Sequence, residues 1–476
     1  MVHHSDYRRS VRRHATLGLL GLLAYGCGTA DSEPAAPSAS SSSPEVTPAE
    51  TDTATSSGIT PSPVNPTSSP TSVNGSSVST AATDDPVSDA STNDATSSNA
   101  SDVTYTDDST DLATSDETTS TSSHDEETTS EPPNDGDCAM TTDDRQAVGY
   151  GAAATGGGDA TPVVVSTFAE AEAALQAYRS AFKAGTQSQL VIRYTGTFDF
   201  SSVTDVCAQH TKASRILYIK EMQNVTFEGA PGSSANFGIK INRAKNVIVR
   251  NMTMGLLPGG GESDAITIEG NGTNGDVEHV WIDHNDLFSS TKDDCSGAGD
   301  TEFDGLIDIK KGARYITVSY NRLHDHQKTG LLGSSDSDDM DRYVTFHHNW
   351  YENVVSRTPL HRFGYIHMYN NYFNRILDSG INVRMGGVAL IEANYFENAS
   401  NPITSRYSPE AGFWELRDNH VGANIKWSRT ADTLANADNW QSTTTFPARE
   451  MTYSYTADAA SCVKQIVTTR AGATLK

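Results

Sequence analysis

Six short segments share one pattern, with apolar residues at alternate positions leading into an Asn and then an aromatic or polar residue. They are VWIDHNDLF ending at Phe288, ITVSYNRLH at His324, VTFHHNWYE at Glu352, IHMYNNYFN at Asn374, ALIEANYFE at Glu397 and WELRDNHVG at Gly422. The shared asparagines, Asn285, Asn321, Asn349, Asn371, Asn394 and Asn419, lie 36, 28, 22, 23 and 25 residues apart by subtraction. Alternation with period two marks a strand, and Asn marks a turn, because it tolerates left-handed backbone and hydrogen-bonds locally. A strand recurring about every 22 residues, with longer loops in some turns, predicts an all-β fold: a parallel β-helix, in which equivalent positions stack at about 4.8 Å.

The remaining sequence places this solenoid in the chain. Residues 138–476 are rich in Val, Ile, Tyr, Phe, Asn and Gly, enough for one elongated core. Thr167 and Glu170 form a capping box opening a helix from Phe168 to Ala184, with Gly185 as its stop, and such a helix caps an open end of the stack. NVTFEG and KNVIVRNMTM supply earlier turns, whereas after Asn424 the repeat fades and the chain is expected to pack back along the outside. Residues 28–137 are almost entirely Ser, Thr, Asp, Glu, Pro and Ala, a composition that cannot offset its ordering entropy, and are read as a disordered acidic tether. Its root-mean-square reach is about 55–60 Å. Residues 1–27 read as an export signal: Arg8, Arg9, Arg12 and Arg13 precede the apolar stretch Leu17 to Ala24, too short to span a bilayer. Cys27 closes a run similar to a lipoprotein signal box, so a lipid anchor through Cys27 is expected, with an ordinary secretory signal as the rival. The four other cysteines, Cys138, Cys207, Cys295 and Cys462, suit an oxidising setting and allow three pairings. Cys207 with Cys295 and Cys138 with Cys462 are favoured, the second tying the domain's ends together. Zinc binding is disfavoured because no two cysteines are close in sequence. A monomer is expected.

The residues with chemistry to offer lie between Glu262 and Arg362. Four carboxylates, Glu262, Asp264, Asp304 and Asp308, are hard ligands suited to Ca²⁺, and three cations, Lys328, Arg357 and Arg362, would hold the carboxylates of an acidic polymer. The formal net charge of −26 opposes a polyanion, but much of it lies in residues 28–137, and local charge decides. Isolated acids in loops usually cap turns and lone arginines usually face water. His284, His347, His348 and His361 read as structural members of the solenoid, as does Asp283, and Tyr343, Tyr369 and Tyr372 read as stacking and core residues.

From Gly149 to about Tyr407 the chain resembles the pectate lyases of polysaccharide lyase family 1. GSSANFGI, LPGG, VWIDHN, IDIKKGA, VSYN, GSSDS, HHNWY, RTPLHR, INVR and NPITSRY fall in that family's order. The resemblance implies a right-handed parallel β-helix, bound Ca²⁺ and cleavage of polygalacturonate by β-elimination, without water. By the same resemblance Glu262, Asp264, Asp304 and Asp308 are the Ca²⁺ ligands and Arg357 is the catalytic base. Lys328, Arg362 and Arg384 are substrate-binding cations. Glu262 stands where Asp is usual and Asp304 where Glu is often found, and both keep a carboxylate. A guanidinium normally stays protonated, so a base role for Arg357 implies an alkaline optimum. Three other classes compete. A pectin lyase should lack the acidic cluster. A glycoside hydrolase would leave RTPLHR and Lys328 without a role. A non-catalytic calcium-dependent polysaccharide-binding surface protein would have no need of Arg357.

Overall fold

The computed structural model describes residues 138, 144–209, 211–291, 295 and 303–476, and of Glu262 the backbone alone. The segments expected to be an export signal and an acidic tether, with Cys27, therefore lie outside the described residues.

Each coil of the chain lays down three strands, one in each of three sheets. One coil runs Val277–Asp283, Asp286–Phe288, Ile307–Lys310; the next runs Ala313–Ser319, Arg322–Lys328, Gly330–Leu332; then Tyr343–His347, Trp350–Ser356, Leu360–Arg362. Among the described residues this builds sheets of ten, eight and nine strands, every neighbouring pair parallel except the last in the nine-stranded sheet, Ile403–Arg406 against Thr433–Asn436. The fold is a right-handed parallel β-helix.

The register explains the core. Val280, Ile316, Val344, Ile366, Ala389 and Trp414 follow one another across the ten-stranded sheet and are almost fully buried. On the eight-stranded sheet Tyr351, Phe373 and Phe396 stack with ring centroids 4.8 and 4.6 Å apart. A strand coil alone has no second apolar layer; stacking on its neighbours supplies one, at about 1.5–3 kcal/mol per buried aliphatic side chain.

The helix spans Phe168–Lys183 with both halves of the capping box formed by Thr167 and Glu170, and buries Ala171, Leu175 and Tyr178. After Asn424 the chain does return along the ten-stranded sheet: the Tyr453 hydroxyl bonds with Thr345 Oγ1 at 2.8 Å and His367 Nδ1 at 2.6 Å, and Asp458 meets His348 Nε2 at 2.8 Å. Both expected disulfides are present, Cys138–Cys462 and Cys207–Cys295.

One expectation is corrected. The six repeated asparagines do not take left-handed backbone; the residue before each does, with φ of 50° at His284, 51° at Tyr320, 56° at His348, 52° at Asn370, 48° at Ala393 and 46° at Asp418. That residue turns the corner between the ten- and eight-stranded sheets. The Asn side chain then points inward, and its Nδ2 donates to Oδ1 of the next: Asn285 to Asn321 at 2.9 Å, Asn321 to Asn349 at 3.0 Å, Asn349 to Asn371 at 2.9 Å, Asn371 to Asn394 at 2.9 Å and Asn394 to Asn419 at 3.0 Å. Each Oδ1 also accepts a backbone N–H, so the buried amides satisfy one another.

Candidate active site

The charged residues gather where the chain passes from the eight-stranded to the nine-stranded sheet. Backbone hydrogen bonds stack the entry points coil on coil: Ala265 N to Gly305 O, Leu306 N to Thr329 O and Thr329 N to Ser356 O, each at 3.0 Å, and Thr358 N to Gly380 O at 3.1 Å. Asp264, Asp304, Lys328 and Arg357 thus occupy successive coils of one corner, although up to 93 residues separate them, by subtraction. Three carboxylates lie at one end of this row and cations at the other. Glu262 ends the short turn Gly260–Glu262 leading to Asp264; its side chain is outside the described residues.

Asp264 and Asp308 are buried, 5% and 2% exposed. Asp264 accepts from Gly305 N and Thr267 Oγ1, both at 2.8 Å, and Asp308 accepts from Leu331 N at 3.1 Å. The two share Lys310, whose Nζ lies 2.8 Å from Asp308 Oδ2 and 3.1 Å from Asp264 Oδ2. Among the described residues no three acidic or imidazole side chains close into a metal cage; the acids converge on this ammonium instead. One lysine does not balance three acids. Burial, then the charges of Asp264 and Asp308, push the Asp304 carboxyl up to about 8, and burial with Asp264 pushes Asp308 up to about 6. Burial works against the Lys310 charge, yet Asp308, Asp264 and Asp304 outweigh it and hold the ammonium above its usual range. Gly305 makes the gathering sterically feasible: a Cβ there would collide with Asp308 Oδ1 and come within 3.1 Å of Asp264 Oδ1.

The cations occupy the following coils. Arg357 is partly buried with φ of 64°, just before the cis Thr358–Pro359 bond. Burial lowers its pKa, Asp308 opposes that, and Arg362 adds to the lowering. Arg362 pairs in register with Arg384 on the adjacent strand and is held by Asp336 Oδ1 at 2.7 Å and Gly333 O at 3.0 Å. Burial, then Arg362 and Arg357, bring Arg384 down to about 9, and among the described residues its Nε has no hydrogen-bond partner. Lys328 stands opposite Ser356, the residue before Arg357. Among the described residues Asp264, Asp304, Asp308, Lys328, Arg357, Arg362 and Arg384 thus lie on neighbouring coils of the nine-stranded sheet and the corner leading into it.

Two further residues at the site escaped the sequence reading. Lys310 sits two positions beyond Asp308 in IDIK, on the same strand face, so period-two alternation could have found it. Arg342 is fully buried and clasps the loop carrying Arg362, donating to Met340 O and Arg362 O at 3.0 Å and pairing with Asp338; a lone arginine after an acidic loop gave no signal for this. His361, buried and pushed down to about 3 by burial and then Arg342, is neutral near pH 7, in keeping with a structural role.

The comparisons with known proteins agree with this geometry. Residues 138–476 match the family model described as pectate lyase. Over 297 residues the chain is 44% identical to pectate lyase B of Dickeya chrysanthemi, covering 60% of this chain and 77% of that protein. The structure of pectate lyase II from Xanthomonas campestris is 49% identical, with a TM-score of 0.65, covering 69% of this chain and 98% of that one. Pectate lyase C from Erwinia chrysanthemi, solved at pH 9.5 with 30 mM Ca²⁺, is 37% identical with a TM-score of 0.61 over 69% of this chain and 96% of that one. A mutant of pectate lyase C in complex with pentagalacturonic acid is 38% identical with a TM-score of 0.62 over 68% and 95%. The chain belongs to the pectate lyase family and is a polysaccharide lyase.

Proposed function

We propose that this lyase is calcium-dependent and cleaves polygalacturonate by β-elimination, leaving 4,5-unsaturated oligogalacturonates. The observation that carries the reading is the row of three acids facing one ammonium, followed on the next coils by Lys328, Arg357, Arg362 and Arg384. The donor set fits Ca²⁺. Carboxylate oxygens are hard ligands, and carboxyls pushed up to about 6 and about 8 by burial and then by the neighbouring acids are short of positive charge. Asp264, Asp304 and Asp308, with Glu262, would hold the ion. When bound, it supplies positive charge that neutralises a substrate carboxylate and so acidifies the neighbouring C5 proton. Two solved neighbours, one with Ca²⁺ and one in complex with pentagalacturonic acid, support the same ligand classes.

The chain's own residues do the rest. Lys328, Arg362 and Arg384 hold the uronate carboxylates and stabilise negative charge developing on C5 and its carboxylate. Arg357, its pKa lowered by burial and by Arg362, takes the C5 proton in its neutral form. The C5–H electron pair becomes the C4–C5 double bond, the C4–O4 bond breaks, and the departing oxygen takes up a proton. No water is added.

Mass spectrometry of the products tests this. Fragments that together lack the mass of one water per cut support elimination, and fragments that carry it would establish hydrolysis. We further infer export with Cys27 as a lipidated anchor; fatty-acid labelling that persists in Cys27→Ala would remove that part.

A further inference from the structure

The outward positions of the nine-stranded sheet form columns that run well past the acidic cluster. Following the register, Lys310 pairs with Glu269, Glu269 with Asn242 and Asn242 with Lys220, while Asp308 leads through Thr267 and Lys240 to Tyr218. In the other direction the Lys310 column reaches Arg362 and Arg384. The residues assigned to substrate thus succeed one another along the solenoid axis, and a polymer held by them lies along that axis. Toward the N-terminus the same face ends in a cavity of about 240 Å³ between the capping helix and the earliest coils, lined by Glu172, Leu175, Gln176, Arg179, Tyr218, Lys220 and Met222.

Three observations say what suits this cavity. Tyr218 is 49% exposed, an aromatic face presented to solvent on a sheet whose other exposed positions are mostly polar. Lys220 has no carboxylate partner among the described residues. The surroundings are cationic: Glu221 is already met by Arg179, Lys183 and Arg243, so Arg179, Lys183, Lys220 and Arg243 outnumber Glu172 and Glu221, in a chain of net charge −26. Glu269, the acid lying between this end and the acidic cluster, is neutralised by Lys240 and by Lys311 at 3.1 Å.

We propose that Tyr218 and Lys220 form a distal subsite for the same polyuronate chain, Tyr218 offering its ring to a sugar face and Lys220 pairing with a carboxylate. The proposal rests on the polygalacturonate reading above. Three coils separate Lys220 from Lys310, about 14 Å, and six separate it from Arg384, about 29 Å at 4.8 Å per coil. A short oligomer centred on Arg357 does not reach the cavity; a long one does.

The test uses the full-length protein with Ca²⁺, comparing Tyr218→Ala and Lys220→Ala with wild type on a pentamer and a decamer of galacturonate. Loss of one ring or one ion pair at an open site is expected to raise KM for the decamer about three- to tenfold, with kcat and all pentamer kinetics unchanged. Lys220→Glu is expected to enlarge the same length-dependent loss. Equal losses on both lengths, or no change on the decamer, would overturn the proposal. Wild-type protein that shows no lyase activity on either length would instead overturn the reading on which it rests.

Discussion

Two corners of the same solenoid use polar side chains in opposite ways. Between the ten- and eight-stranded sheets, six asparagines donate to one another and accept backbone N–H groups, so nearly every buried polar atom there has a partner. Between the eight- and nine-stranded sheets, Asp264 and Asp308 share one lysine with Asp304 crowded beside them, and among the described residues the Arg384 Nε has no partner. Closed networks rigidify; incompletely compensated charge is costly and persists where a ligand completes it. In a fold whose coils otherwise look alike, chemistry is to be sought where buried charge is left incompletely paired.

The two corners are expected to differ most at Arg357. Arg357→Ala is expected to lower kcat about 10²–10⁴-fold in initial-rate assays while the thermal midpoint stays within about a degree, since the Arg357 side chain is only partly buried. Asn349→Ala should do the reverse. It strands the Nδ2 donor of Asn321 and a buried backbone N–H, costing about 2–3 kcal/mol in denaturant unfolding with specific activity per folded molecule unchanged. Gly305→Ala would push the Asp264 and Asp308 carboxylates apart; Ca²⁺ affinity by calorimetry should fall about 10- to 100-fold with stability little altered. If Asn349→Ala proved catalytic, or Arg357→Ala structural, the division between the corners would fail.

The smallest effect sharpens the contrast through pH. Burial and then the neighbouring acids push Asp304 up to about 8 and Asp308 up to about 6 in the folded protein, from an ordinary 3.8, so between those values the native state keeps protons that the unfolded chain has released. Without Ca²⁺ their contribution to stability therefore declines as pH rises from about 4 and levels off above about 8. Bound Ca²⁺ displaces the protons, so the gain in thermal midpoint on adding it should grow from pH 5 to pH 9. Proton release on binding should be measurable at pH 7. A pH-independent gain would mean the acids are not the ligands.

The repeat was legible because one coil obeys one pattern, and Asn at a fixed place announced a structural ladder. The capping helix and both disulfides were legible too, the helix from Thr167 and Glu170 and the pairing Cys138–Cys462 from a need to tie the ends. What sequence hid was the handedness of single residues and the lateral register. His284 or Ala393 turns the corner only because the inward Asn beside it must stay in line with its neighbours, a requirement set by adjacent coils. Lys310 and Lys220 share a column although 90 residues separate them by subtraction, because loops of unequal length intervene. Asp264, Asp304 and Arg357 were found by motif order rather than by derived proximity, for the same reason.

The most direct measurement follows the ultraviolet absorbance of unsaturated uronate ends as the protein acts on polygalacturonate, with Ca²⁺ or with chelator. Absorbance that rises with Ca²⁺, stays flat with chelator and recovers when the ion is restored is the expected result. New reducing ends without that absorbance, or absorbance indifferent to chelator, would contradict calcium-dependent elimination at this corner.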